Sequence, residues 1–130
     1  LITNGSGNIV GGPNASDRNI VSGNLDDGIN IVGDTSVNNL VEGNYIGLNA
    51  TGVSALGNSD DGIVITSPSN TVRGNIVSGN LSDGILFFTS STATLSPANS
   101  IVEGNRVGMN AMGTASIPNF RGIRFVDVPN

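Results

Sequence analysis

The sequence contains no cysteine, no histidine, no lysine and no tryptophan. Without cysteine there is no disulfide and no thiolate nucleophile, and without histidine there is no imidazole base. Together the two absences remove nearly all zinc chemistry. They leave the compartment open, because a repeat fold can stand outside the cell without disulfides. The missing lysine leaves five arginines against ten carboxylates, a formal net charge of −5. Such a chain has no basic stripe to neutralise phosphates, so nucleic acid is not an expected partner and an anionic membrane surface is disfavoured. Aromatic residues are only 4% of the chain and Tyr45 is the one tyrosine, which supplies a sugar-stacking platform poorly. No apolar run approaches the ~20 residues of a membrane span, so no membrane insertion is expected. Residues 1–10 carry neither the positive segment nor the long apolar stretch of a signal peptide, and there is no initiator Met. The chain reads as a mature product or an excised segment.

What the sequence does have is turn formers and aliphatics. Gly and Asn occur 19 times each in 130 residues, and the apolar content of 37% is mostly Ile, Val and Leu. That mixture suits many short strands joined by tight turns within one domain by length. The chain also repeats itself. "IVSGNLDDGI" (residues 20–29) and "IVSGNLSDGI" (76–85) differ only at Asp26 against Ser82.

Four blocks align, at residues 8–32, 39–66, 70–88 and 100–126. Each holds three short alternating runs separated by Gly-Asn or Asp-Gly. Val10, Val41, Val72 and Val102 fall in one column, and Val21, Ile46, Val77 and Val107 in a second. In the third run Ile29, Ile63, Ile85 and Ile123 stay apolar while the next position passes from Asn30 through Val64 and Leu86 to Arg124. Period-two alternation with one constant face is a half-buried strand. Identical columns in blocks of 20–30 residues imply stacked coils. The expected fold is all-β: a parallel β-helix, a single-stranded β-solenoid of about four coils of three short strands. Variable linkers (residues 13–18, 50–58, 90–98 and 111–119) then fall at corners.

The asparagines fit the same picture. Asn24, Asn49, Asn80 and Asn110 close the second strand of each block, and Asn8, Asn39 and Asn70 open the first strand in three. Stacked at a corner, each amide can bond its neighbour and satisfy groups that a tight turn would otherwise bury unpaired.

At this level the residues resemble a family. "NIVSGN" with "DDGI", followed by "NLVEGNYIGLNATGVSALGNSDDGIVI", is similar to the right-handed parallel β-helix repeats of large bacterial surface and secreted proteins. The phrase returns in degraded form as "GNRVGMNAMG" with "SIPN". The resemblance covers essentially the whole chain. It implies a right-handed helix on the pectate lyase-like fold, an extracellular or cell-surface location, and a scaffold or adhesin-like role.

Candidates for chemistry cluster before the third strand. Asp27, Asp61 and Asp83 share a column, beside Asp26 and Asp60, so carboxylates would stand about 5 Å apart up the stack. A Ca²⁺ ion would relieve their repulsion, and a glycan-cleaving enzyme would need paired carboxylates of this sort. The simpler expectation is that each Asp caps its own Asp-Gly turn, with Arg121 replacing the Asp in the fourth block and pairing with Asp83. Glu42, Arg73 and Glu103 form a second charged column, read as a register-fixing ladder. No catalytic constellation emerges, so neither an enzyme nor a required cofactor is expected.

If the valines point inward, Ile9, Leu40, Thr71 and Ile101 point out, as do Ile20, Tyr45, Ile76 and Arg106. Loops, a neighbouring copy or a partner would cover such strips. Open coil ends would receive flanking coils of a longer chain or copies of the same chain, which would build a filament. The expected function is a structural solenoid segment, either scaffold, adhesin stalk or stacking fibre subunit. A glycan-binding or polysaccharide-cleaving β-helix is the alternative.

Overall fold

The computed structural model describes residues 1–91 and 94–128. The first coil carries β2 (Ile9–Gly11), β3 (Ile20–Val21) and β4 (Ile29–Val32), preceded by β1 (Ile2–Thr3). The second carries β5 (Leu40–Glu42), β6 (Tyr45–Ile46) and β7 (Ile63–Ile65). The third carries β8 (Thr71–Arg73), β9 (Ile76–Val77) and β10 (Asp83–Phe88). The fourth carries β11 (Ile101–Glu103), β12 (Arg106–Val107) and β13 (Arg121–Val126). A single 3-10 turn at Ala15–Asp17 is the one helical element among the described residues, and none is long and apolar enough to cross a membrane.

The strands form three parallel sheets, ordered β11-β8-β5-β2, β12-β9-β6-β3 and β1-β4-β7-β10-β13. Register follows the sequence columns. Val10 pairs Val41, Val41 pairs Val72, and Val72 pairs Val102. Val21, Ile46, Val77 and Val107 pair likewise in the second sheet. Slipping any strand by one residue would turn its apolar face outward, so the constant columns select this register. The third sheet has one strand more than the four blocks imply, because Ile2 pairs with Ile31.

Among the described residues, ten buried aliphatic and aromatic side chains form the core cluster, including Ile31, Val41, Ile46, Ile63, Val72, Val77 and Phe87. The Phe87 and Phe125 rings stack at 5.1 Å, continuing the column upward. Loops cover part of the expected outer strips. Tyr45 is buried, because the Arg18 guanidinium lies 4.0 Å over its ring and the turn at Gly52 packs against its edge. Val64 and Leu86 are buried as well. Ile9, Ile20 and Ile101 remain exposed.

Three asparagine ladders run up the stack. At the first corner, Asn8 donates to Asn39 Oδ1 from its backbone and side-chain nitrogens (both 2.9 Å), Asn39 does the same to Asn70, and Ser100 ends the file. At the second, Asn19, Asn44, Asn75 and Asn105 repeat the pattern at 3.0–3.1 Å. The third runs Asn24, Asn58, Asn80, Asn119.

The third ladder corrects the sequence reading of Asn49 and Asn110. In the two long coils a hairpin-like loop intervenes, closed by antiparallel bridges Leu48–Ala55 and Met109–Ser116. Asn49 Oδ1 accepts from Thr51, Val53 and Ser54, and Asn110 Oδ1 accepts from Thr114 and Ala115, so both organise their own loops. Asn58 and Asn119, at the ends of the expected linkers, take the ladder positions.

Candidate functional site at the acidic corner

The turn before the third sheet gathers five of the eight aspartates. The strand register aligns Asp83 with Arg121, and hydrogen bonds align the coils beneath. Asp61 N–H donates to Asp27 Oδ1 at 3.2 Å, and Asp83 N–H donates to Asp61 Oδ1 at 2.7 Å. Asp27 and Asp61 thus each cap the aspartate of the coil above, not their own turns, which corrects the turn-capping expectation. Asp83 is fully buried and accepts from Arg121 Nε and Arg124 Nε, both at 2.6 Å. The Arg121 pairing was legible in the sequence. Arg124, an outward residue of β13, was not marked as its partner.

Burial is the main force on these carboxyls. It pushes Asp27 and Asp61 up from the ordinary range, because an ionised carboxylate loses hydration there. The Ser82 side chain at Asp61 and the donated backbone N–H groups at both carboxyls oppose that shift, and neighbouring aspartates add to it. Asn30 donates its Nδ2 to Asp27 Oδ2 at 2.8 Å, while its own Oδ1 is buried without a partner among the described residues.

The metal candidates Asp27, Asp61 and Asp83 do not converge as a set. Their carboxylates are directed up the stack toward N–H groups, and Asp83 is neutralised by two arginines. Three oxygen atoms within 4.8 Å of one another come instead from Asp26, Asp27 and Asp60. Of these only Asp27 is partly buried.

On another face, Glu42, Arg73 and Glu103 align in the first sheet, with Gly11 beneath. Arg73 holds Glu42 with two bonds, Nε to Oε1 at 2.8 Å and Nη2 to Oε2 at 3.3 Å. That contact raises the arginine's pKa, and Glu103 contributes through its charge.

An open groove of about 430 Å³, lined by Thr3, Asn4, Gly33, Asp34, Thr66 and Phe88 among others, lies away from the acidic corner. Beside it Asp34 ties down a segment 60 residues later. It accepts from Thr94 N–H at 3.1 Å, from Leu95 N–H at 3.2 Å and from the Thr94 hydroxyl. These bonds lower its pKa. No sequence signal pointed to this contact, whereas the second ladder is announced by Gly-Asn after the first strand of the second, third and fourth coils, at 43–44, 74–75 and 104–105.

None of the curated proteins or solved structures compared with this chain matches it. The family described as the right handed beta helix region matches residues 2–125. With its parallel strands, stacked coils and asparagine ladders, the chain belongs to the right-handed β-helix family.

Proposed function

We propose that the chain is a structural segment of an extracellular or cell-surface protein, a stiff β-helical spacer of the scaffold or adhesin-stalk kind. The observation that carries this reading is where its polar groups go. Three amide ladders and an aspartate column run from coil to coil without a break, so groups that could bind or react serve instead to stack. Continuous side-chain ladders suit a rod whose task is to hold distance and direction. On this reading the partners are further coils, or further copies, continuing the stack.

A second reading, a glycan-binding or glycan-cleaving β-helix, draws on Asp26, Asp27 and Asp60. Their oxygens lie close together and one carboxyl is pushed up by burial, the combination that acid–base catalysis and Ca²⁺ binding both use. One experiment separates the two. The chain and its Asp27→Asn and Asp60→Asn variants are incubated with acidic and neutral polysaccharides, with and without Ca²⁺. The scaffold reading expects no depolymerisation by any of them and a retained fold in both variants. Cleavage by the parent chain that disappears in folded variants would replace it with the second reading.

A further inference from the structure

One corner of the stack carries a file of side chains that the fold leaves in solvent. One residue past the third asparagine ladder stand Leu25, Ser59, Leu81 and Phe120. They are held in register by N–H bonds from Ser59, Leu81 and Phe120 to the carbonyls of Asn24, Asn58 and Asn80. Leu25 is 95% exposed, Leu81 68% and Phe120 73%. The turn itself does not need apolar residues there, as Ser59 demonstrates. Three large exposed apolar side chains on one file, with a small serine among them, mark an interaction surface.

The next residue on each coil is charged or polar: Asp26, Asp60, Ser82 and Arg121. Ser82 N–H donates to Asp60 O and Arg121 N–H to Ser82 O, so this second file is also in register. Its charge runs from acidic on the lower two coils to basic on the fourth. The Arg121 guanidinium sits 5.0 Å from the Phe120 ring, and its side chain stays 47% exposed although Asp83 takes its Nε.

The two files are self-complementary only when one copy is reversed. Antiparallel pairing sets Leu25 against Phe120 and Ser59 against Leu81, with Asp26 facing Arg121 and Asp60 facing the uncharged Ser82. Parallel pairing would set Asp26 against Asp26 and Arg121 against Arg121, a like-charge arrangement that costs association. The net charge of −5 disfavours an anionic membrane as the occupant. We propose that this corner is a self-association edge, through which two copies of the chain pair side by side and antiparallel about a twofold axis. A twofold contact of this kind uses the same patch on both partners. Four rungs give an edge about 15 Å long, so the pair lies at the small end of protein interfaces, with a dissociation constant on the order of micromolar or higher.

The absence of native cysteine makes the test clean. Leu25→Cys and Phe120→Cys chains are mixed in equal amounts and oxidised by dissolved oxygen with a copper catalyst. The expected product is the mixed disulfide, joining position 25 of one chain to position 120 of the other, well above the half share of all disulfide that random pairing of equal amounts gives. Sedimentation of the parent chain over a concentration series is expected to show a monomer–dimer equilibrium. Leu25→Ser with Phe120→Ser should weaken it about tenfold or more, the loss expected from removing buried apolar contacts. Asp26→Arg, on an exposed turn, should weaken it too and leave the circular dichroism spectrum unchanged. The proposal is overturned by a parent chain that stays monomeric, by a mixed disulfide that does not exceed the random half share, or by variants that associate like the parent.

Discussion

Replacing Asn75 with alanine tests whether the ladders carry stability or merely decorate the corners. Asn75 is fully buried. Its Oδ1 accepts from Asn44 N–H and Nδ2 at 3.0 and 3.1 Å, and its Nδ2 donates to Val41 O, Arg73 O and Asn105 Oδ1 at 2.9–3.1 Å. Truncation leaves the Asn44 N–H without that acceptor inside the stack, a loss of about 1–3 kcal/mol. The abandoned carbonyls and the small void bring the expected total to about 2–5 kcal/mol. Asn24 begins its ladder at an exposed position, and its side chain donates only to Asn58 Oδ1. Asn24→Ala should therefore cost only about 0.5–1 kcal/mol. For a chain of this length each kcal/mol moves the melting temperature by about 3–5 °C. Urea and thermal unfolding followed by circular dichroism should then separate the two variants widely at unchanged m-value. Equal destabilisation by both would refute the reasoning, because it would mean that the ladder interior carries no more than its frayed end.

The acidic corner gives a pH prediction. Burial raises Asp27 and Asp61, so between the ordinary carboxylate pKa and the raised folded value the native state holds protons that the unfolded chain has released. Their contribution is complete below the unfolded pKa and falls as pH rises through the folded one. The double variant Asp27→Asn, Asp61→Asn should be more stable than the parent at pH 7 and lose that advantage on acidification; parallel pH curves for the two proteins would contradict the assignment. Asp34→Ala should release Thr94 and Leu95, so that limited proteolysis cuts near them sooner while the melting temperature hardly moves. An unchanged cleavage rate would show that the bonds do not hold the segment. Gly43 has φ +70° and any Cβ there would drive into the Gly12 carbonyl, whereas Gly7 has φ +68° with open space around it. Gly7→Ala should cost about 1–2 kcal/mol for its conformation alone, and Gly43→Ala clearly more in the same denaturation assay.

The features legible in the sequence are those whose cause is local and repeated. Val10, Val41, Val72 and Val102 announce a strand column because burial on one face leaves a period of two in each block. Glu42 above Gly11, and Arg121 above Asp83, follow once the columns are aligned. The third ladder misleads because "LNA" and "GNS" each place an asparagine near the same corner. Local sequence does not say whether an insertion sits before or after the ladder residue, and in both long coils it sits before. Tyr45 is covered by Arg18, an arginine delivered by the insertion in the coil below. Asp34 and Thr94 meet across 60 residues. Such contacts belong to the assembled stack and leave no period in the chain.

The loops also explain why the chain says "IVSGN" twice. Ser22 and Ser78 donate their hydroxyls to Leu48 O and Met109 O, carbonyls at the start of the loop in the long coil above. Gly23 and Gly79 turn with positive φ, and Asn24 and Asn80 join the ladder. The short corner is thus shaped to seat a long one. Across the third coil, the loops of the second and fourth reach each other, where Ala111 N–H donates to Gly52 O at 2.8 Å. A loop of the same length on the third coil would occupy the space where Ala111 meets Gly52. Two long coils therefore cannot follow one another with this loop geometry, and the structural unit that repeats is the pair of short and long coils rather than the single turn.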